Sequence, residues 1–403
     1  MTGLHRTAVA LVVGLAGACT PTVPSPTVPA SGETPRSTPV TSFAPPTSTP
    51  IPSPNATPVQ GVFGSDWHAV DFGQDDADPR AAAYGEAGAV IVGATCEGSD
   101  EAQECTASAW HQGADGKWRK SSVGDAAGAT MYEVVHTDRF VALGTRIEQG
   151  GRVVRALIWS SSDGAEWRLT GSAEIGDCSG EGPICGHAAR LAATTTGLVI
   201  LGDVYAAGDA GFFGALASTD GRHWTRIEPS TFDGDTDAYI SAAMPWRDGV
   251  VALVGGGSRP LTAWRTTDGV AWAGFGAFGE GVQSIGALAE HGDQLIAAEG
   301  EFAGPEGSRT TLWTFGDGEQ FERTGVFDGV ILASLADAGP MGIVAVGHDE
   351  GRPQVFASLD GRSWHRTAPG LPQTDCAPTW LAGGPSTALY VGDCGMVWSA
   401  SRP

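Results

Sequence analysis

The 403-residue chain carries 46 acidic and 23 basic side chains, so its formal net charge is −23, and Lys117 and Lys120 are its two lysines. A chain this acidic is repelled by nucleic acid and by anionic lipid surfaces, and we expect neither as a partner. The negative charge would instead attract metal cations or a basic partner. The length allows two or three average domains, but an internal repeat favours one large domain.

The first 19 residues predict a lipoprotein signal peptide. His5 and Arg6 supply a weak positive start, and residues 8–18 form an apolar run. That run is shorter than the ~20 residues that a membrane-spanning helix needs. It ends in Leu15-Ala-Gly-Ala-Cys19, which resembles a bacterial lipobox, where cleavage before the cysteine leaves a lipid on Cys19. We expect a bacterial protein lipid-anchored to the cell membrane on its extracytoplasmic side; the alternative is an ordinary secretory signal.

Residues 20–60 are rich in Pro, Ser and Thr and carry almost no aromatic side chains. Such a segment cannot bury a core, so we expect it to be disordered and partly in the polyproline II conformation. At about 3.1 Å per residue, a segment of this length reaches on the order of 100 Å. It is interpreted as a stalk that lifts the folded domain, residues 61–403, off the membrane.

One hairpin motif recurs through the folded domain. In its second copy a β-prone run ends at Trp159, then Ser161, Asp163 and Gly164 supply turn chemistry, and Trp167 opens the return strand. The turn aspartates of the six copies, which we call the Asp-Gly hairpins, are spaced 48, 57, 48, 49 and 43 residues apart. These aspartates are Asp115, Asp163, Asp220, Asp268, Asp317 and Asp360. A period of roughly 40–50 residues built from short strands is typical of propeller blades.

A second apolar strand precedes each hairpin, and it usually ends in glycine. Seven such strands are present, at residues 89–93, 140–144, 198–202, 250–255, 295–298, 343–347 and 388–392. The seventh blade lacks a fourth strand at the C-terminus, whereas the stretch around Trp67 is an orphan strand near the N-terminus. Pairing Trp67 with the strand around Trp398 predicts an all-β, seven-bladed β-propeller of four-stranded blades. Its last blade is closed by the N-terminal strand, which removes the free sheet edges.

The Ser/Thr-x-Asp-Gly-x-x-Trp turn resembles the Asp-box, or BNR repeat, found in sialidases, related glycoside hydrolases and several non-catalytic propellers. This resemblance implies a sialidase-like propeller whose six turn aspartates have a structural role, on the outer turn of each blade and away from the binding face. Sialidases of this family hold the substrate carboxylate with three arginines and use a tyrosine nucleophile. Their first blade carries an Arg-Ile-Pro stretch, which is missing here, and most arginines of this chain lie in or beside the hairpin turns.

These departures favour a non-catalytic module that binds or scaffolds an extracytoplasmic protein or a glycan, and we expect a monomer. The alternative is a glycoside hydrolase acting on extracellular glycans. Such an enzyme would need two loop carboxylates about 5–10 Å apart at the mouth of the central channel, one of them with a raised pKa.

Six cysteines follow Cys19, and an even number in an exported domain favours disulfides over metal ligation. Their spacings match no zinc site. Several pairings are open, and the simplest joins sequence neighbours. These pairs are Cys96–Cys105, Cys178–Cys185 and Cys376–Cys394.

Alternating carboxylates at Asp233, Asp235 and Asp237 can gather oxygen ligands for calcium. An EF-hand loop needs Gly at its sixth position and Glu at its twelfth, where this chain has Ala238 and Met244. The sequence therefore offers at most a looser structural Ca²⁺ site, and the alternative is a solvated acidic loop. We expect no other cofactor.

Overall fold

The computed structural model describes most of the folded domain. The described residues are 67–71, 76–97, 104–148, 153–177, 188–204, 212–227, 232, 238–256, 259–279, 281–282, 284–302, 308–316, 320–339, 342–349, 352–367, 378–385 and 387–401. Several predictions fall outside these ranges: the signal peptide with Cys19, the stalk, Asp317, Cys178, Cys185, Cys376, and the calcium candidates Asp233, Asp235 and Asp237.

The fold is all-β, and its strands form seven sheets that correspond to seven blades, as predicted. Six sheets have four strands, and the second blade adds a short fifth strand that runs parallel to its neighbour. Within the described residues, no helix is long and apolar enough to cross a membrane.

The strands are as follows, in chain order. The N-terminal strand is β1 (Trp67–Ala69). Blade one contains β2 (Ala77–Gly85), β3 (Gly88–Glu97), β4 (Glu104–Gln112) and β5 (Trp118–Lys120). Blade two contains β6 (Ser122–Val123), β7 (Ala129–His136), β8 (Phe140–Glu148), β9 (Val153–Ser161) and β10 (Glu166–Asp177). Blade three contains β11 (Ala188–Ala193), β12 (Leu198–Val204), β13 (Phe212–Ser218) and β14 (Thr225–Ile227). Blade four contains β15 (Ala238–Trp246), β16 (Gly249–Gly256), β17 (Arg259–Thr266) and β18 (Ala273–Ala277). Blade five contains β19 (Ala287–His291), β20 (Gln294–Phe302), β21 (Ser308–Phe315) and β22 (Glu322–Asp328). Blade six contains β23 (Ile331–Asp337), β24 (Ile343–Asp349), β25 (Arg352–Ser358) and β26 (Trp364–Arg366). Blade seven contains β27 (Pro378–Gly383), β28 (Thr387–Gly392) and β29 (Val397–Ser401), together with β1.

The glycine that ends many second strands faces a bulge in the first strand of the same blade. In blade two the register of β7 against β8 shifts just before Glu133, next to Gly144. A Cβ atom on Gly144 would overlap the backbone oxygen of Thr130. Gly93 and Gly347 lie against first-strand backbone in the same way. The repeated glycine therefore lets two strands of each blade approach closely at the bulge.

The two ends of the folded domain share one sheet, which confirms the predicted closure. β1 pairs antiparallel with β29, so that Trp67 lies opposite Ala400 and Ala69 lies opposite Trp398. Trp67 and Trp398 are both buried, and each packs against the ring of Tyr390, at centroid distances of 6.5 Å and 4.7 Å.

Among the described residues, the apolar core is divided into seven clusters, and each is filled by two adjacent blades. In one of them Trp167 of blade two packs in the same cluster as Val90 of blade one. The first strands of the blades contact one another in a closed cycle, from β2 through β7, β11, β15, β19, β23 and β27 back to β2. These first strands, called the inner strands below, surround the central channel.

The cysteine prediction is confirmed for one pair. Cys96 and Cys105 lie opposite each other on β3 and β4 and form a disulfide. Cys394 is disulfide-bonded as well.

Candidate functional site

The Asp-Gly hairpins use their polar side chains inside the turn itself. In the second hairpin, Ser161 Oγ accepts the N–H of Gly164 at 2.9 Å, and Asp163 Oδ1 accepts the N–H of Ala165 at 2.9 Å. Trp167 Nε1 donates to the carbonyl oxygen of Gly164 at 2.8 Å. Gly164 has a φ of 78° and lies against Val90 of the preceding blade, where a Cβ atom would collide. The turn therefore needs glycine for its backbone and for the contact between blades.

Equivalent bonds form in three further hairpins. Asp220, Asp268 and Asp360 each accept two backbone N–H groups at 2.6–2.9 Å. Asp115 differs, because it accepts the N–H of Lys117 and forms an ion pair with Arg119 at 2.6 Å. The hydrogen bond to the N–H of Ala165 lowers the pKa of Asp163 below its ordinary value. Carboxylates tied to their own turns in this way are poorly placed for catalysis.

A cavity of about 170 Å³ lies where the inner strands of six blades converge. We call it the channel cavity. Glu133 and Arg190 bring ionisable groups to its lining, and the remaining described lining is mostly small or apolar. Among the larger apolar side chains are Val135, Leu191, Met244, Leu288, Leu335 and Trp380.

Glu133 is the most unusual group in the channel cavity. Glu133 is only 4% exposed, and its Oε2 atom has no hydrogen-bond partner. Burial raises the pKa of Glu133 to about 8, although the charge of Arg190 and the N–H of Leu191 act in the opposite direction. The carboxyl is therefore mainly protonated at neutral pH, because an ionised carboxylate is costly to bury without sufficient compensation.

The repeat brings chemically different residues to one position around the channel. Glu133 follows the bulge of its inner strand, and Arg190, Ser334 and Trp380 follow the bulges of theirs. The sequence led us to expect binding residues in the loops, and this site on the inner strands was not predicted. The available signal was a charged residue within an apolar inner strand, at a nearly constant distance before the glycine that ends the second strand.

Neighbouring polar groups of the channel cavity serve the fold. Ser334 Oγ accepts the N–H of Leu381 at 3.1 Å, and Trp380 Nε1 donates to the carbonyl oxygen of Ala82 at 2.9 Å. These bonds tie the seventh blade to its two neighbours. Glu133 Oε2, by contrast, is a buried oxygen of this lining that has no hydrogen-bond partner.

A larger groove of about 640 Å³ lies at the hairpin ends of blades two and three. Its lining includes Asp138, Arg139, Asp220 and Arg222, which are exposed. Asp138 forms an ion pair with Arg139, and Asp220 is held by its own hairpin. This open groove, with its exposed charges, is therefore a weaker candidate for a binding site than the smaller channel cavity.

A second acidic feature lies in blade five. Glu299 is 7% exposed and accepts a hydrogen bond from Trp313 Nε1 at 3.0 Å. Burial raises its pKa, and the charge of Glu301 adds to the rise. Glu299 and Glu301 are two positions apart on β20, so their Cα atoms are roughly 7 Å apart.

The calcium candidates lie outside the described residues. Within the described ranges, no group of three or more His, Cys, Asp or Glu side chains is placed to hold a metal ion.

The chain matches no protein-family profile and no curated protein sequence. Solved structures do resemble its fold. A catalytically inactive virginiamycin B lyase from Staphylococcus aureus, with quinupristin, aligns with a TM-score of 0.52 at 9% identity, over 83% of this chain and 99% of that one. Trypanosoma rangeli sialidase, in complex with the inhibitor DANA, aligns with a TM-score of 0.41 at 13% identity, over 72% of this chain and 57% of that one. YCF48 bound to D1 peptide aligns with a TM-score of 0.38 at 11% identity, over 88% of this chain and 98% of that one. At these identities the likeness is one of fold alone.

Proposed function

We propose that this chain is a lipid-anchored extracytoplasmic propeller that binds a ligand or a protein and does not transform it. The observation that supports this most is the composition of the channel cavity. Among the described residues, its lining contains one buried carboxyl, Glu133, and one guanidinium, Arg190, and no second carboxylate. Glycoside hydrolysis by the usual route needs two carboxylates across the scissile bond, whereas an acid beside a guanidinium is suited to recognition.

The anchor rests on the sequence at Cys19. A lipid on this cysteine, followed by the stalk of residues 20–60, would hold residues 61–403 at a distance from the membrane. We expect wild-type protein in the membrane fraction with an acylated N-terminal peptide, and Cys19→Ser protein in the soluble fraction. Membrane association of Cys19→Ser without acylation would contradict the anchor.

The relationship to Asp-box propellers is part of the same proposal. The side-chain-to-backbone bonds around Asp163 support it, since the motif defines this turn. A structural role for these aspartates leaves recognition to the channel and to the loops at the opposite ends of the blades.

The binding function is tested with the full chain carrying a C-terminal tag. The protein is chemically cross-linked in its native envelope, and the products are compared with those of a chain that carries an unrelated domain on the same anchor and stalk. We expect a partner cross-linked through residues 61–403, or binding to defined glycans on an array. Identical cross-links from both chains, together with a blank array, would contradict a binding role for the propeller.

Glu299 and Glu301 favour the alternative of a glycoside hydrolase. One of the two has a raised pKa and the other is exposed nearby. Activity on envelope glycans that is lost in both Glu299→Gln and Glu301→Gln, but kept in Glu322→Gln, would establish the enzyme and overturn the non-catalytic proposal.

A further inference from the structure

We propose that His291 is a pH-sensitive clasp between blades five and six. While its ring is doubly protonated, it holds the Asp-Gly hairpin of blade six against blade five, and the loss of one proton releases that hairpin. The clasp is independent of any ligand that the propeller binds.

The ring of His291 joins separate parts of two blades. His291 ends β19, the inner strand of blade five, and its Nδ1 lies 3.0 Å from Oδ1 of Asp337 at the end of β23. Its Nε2 lies 3.0 Å from the carbonyl oxygen of Leu359, which opens the hairpin of blade six. A neutral imidazole carries one N–H, so only the doubly protonated ring donates to both oxygens.

The loss of a proton acts on one of these two bonds. The remaining N–H stays on Nδ1, because the carboxylate of Asp337 is a stronger acceptor than a neutral carbonyl. Nε2 then turns a lone pair toward the carbonyl oxygen of Leu359, and two acceptors face each other. The contact between His291 and the hairpin therefore changes from attractive to repulsive.

The hairpin of blade four has an equivalent clasp that does not titrate. Thr196, in the inner turn of blade three, donates from Oγ1 to the carbonyl oxygen of Thr267 at 3.5 Å. Thr267 holds the position before the turn aspartate that Leu359 holds in blade six. In both hairpins the turn glycine also packs against the preceding blade. The two hairpins therefore differ in whether the clasping side chain can lose a proton within the neutral pH range.

The charged groups around His291 are mainly acidic. Burial lowers the pKa of His291, whereas its two hydrogen bonds and the charges of Asp337 and Asp360 raise it, and the pKa is raised overall. The other ionisable groups near the ring are Glu290 and Asp293 of the same turn, Glu322, Arg362 and, from blade four, Arg247. Protection of the hairpin by the clasp is therefore present below the ordinary histidine pKa and is lost as the pH rises through the raised value.

The clasp also borders a groove on the hairpin side of blades five and six. This groove of about 570 Å³ is lined by His291, by Glu322 of blade five and by Arg362 of the blade-six hairpin, among others. Release of the hairpin moves one wall of the groove relative to the other, so the shape of the groove depends on pH.

The experiment measures hydrogen exchange of single amides in the full chain by NMR at pH 5.5 and pH 8.5. The reporters are the N–H groups of Arg362 and Ser363, which donate to the turn aspartate of blade six. The matched N–H groups of Val270 and Ala271 donate to the turn aspartate of blade four. Protection is expressed relative to the intrinsic exchange rate at each pH. We expect protection in blade six to fall by about threefold to tenfold at pH 8.5, since one hydrogen bond is lost, and protection in blade four to stay constant.

Variants assign the response to the ring. His291→Gln cannot become an imidazolium, so its blade-six amides should show the lower protection at both pH values. Asp337→Asn removes a charge that favours the protonated ring, so the fall in protection should occur at lower pH. His365→Gln, in the outer strand of the same blade, is the control and should respond like the wild type.

Unchanged protection of the blade-six amides between the two pH values, or an equal fall in blade four, would overturn the inference. A pH response that persists in His291→Gln would also overturn it and would point to Glu290, whose pKa is raised by burial. If His291→Gln fails to fold, Asp337→Asn decides the matter, and a fall in protection at the wild-type pH would refute the clasp.

Discussion

Trp67 lies directly opposite Ala400, and this pair joins the first strand of the folded domain to the last. The contact closes the seventh blade, and with it the ring. Its position at the edge of a sheet makes it a specific point where the stability of the whole propeller can be tested.

We expect Trp67→Ala to lower the free energy of unfolding by about 3–5 kcal/mol, because the substitution empties a buried site in the core of the closing blade. His68 lies on the same strand and is exposed, so His68→Ala is the matched control and should change the free energy little. Urea denaturation followed by tryptophan fluorescence measures both. Similar values for the two variants would show that closure by β1 contributes little.

The second prediction concerns the Asp-Gly hairpins. Asp163→Ala removes the acceptor for the N–H of Ala165 and should cost about 1–2 kcal/mol. Glu166→Ala, beside the same turn, removes the same charge but no acceptor of a turn N–H, so it should cost far less. The pKa of Asp163 is lowered in the folded state, so this contribution is present above the ordinary carboxyl pKa and is lost as the pH falls through the folded value. Urea midpoints between pH 2 and pH 7 should therefore converge for wild type and Asp163→Ala at the acidic end.

His291 gives a prediction with the opposite pH dependence, because its contribution to stability is lost as the pH rises. Its Nδ1 lies 3.0 Å from Asp337 Oδ1 and its Nε2 lies 3.0 Å from the carbonyl oxygen of Leu359, so both ring nitrogens face acceptors. The doubly protonated ring alone can donate to both. Burial lowers the pKa of His291, but these bonds and the charge of Asp337 outweigh it, and the pKa is raised overall.

A raised histidine pKa stabilises the fold below the unfolded value of about 6.5, and this stabilisation is lost as the pH rises through the folded value. We expect wild type to exceed His291→Gln in unfolding free energy by less than about 1 kcal/mol at pH 5.5, since the group is partly exposed. The difference should shrink by pH 8.5. A difference that is constant with pH would show that folding does not raise the pKa of His291.

The glycine at the bulge gives the fourth prediction. A Cβ atom on Gly347 would overlap the backbone of Ile331, so Gly347→Ala should cost about 1–3 kcal/mol. No atom lies within 4 Å of the Cβ position of Gly316, and Gly316→Ala is therefore the control that should be tolerated. Equal unfolding midpoints for the two variants would contradict the close approach of the two strands.

The architecture could be predicted because it is periodic. The turn seen at Asp163 and Gly164 recurs along the sequence, and so does the second strand that ends at Gly144. The unmatched strands around Trp67 and Trp398 complement each other. These local signals sum to a blade count and to the closure. The Cys96–Cys105 bridge followed from its short loop, since neighbouring strands bring such residues opposite each other.

The channel site could not be predicted in the same way. Glu133 and Arg190 are 57 residues apart in different blades, and their proximity depends on the bulge that offsets each inner strand. A bulge shifts the side chains by one position, and single-sequence periodicity does not reveal where it falls. The protonation of Glu133 depends on burial by side chains from several blades, which only the closed ring assembles.

The most direct test of the central claim, that the channel holds a buried and protonated recognition group, is the titration of Glu133 by carbon NMR of glutamate-labelled full chain, with Glu133→Gln used to assign the signal. We predict a carboxyl that titrates near pH 8, because burial raises its pKa. A carboxyl that titrates near its ordinary value of about 4.3 would contradict the claim.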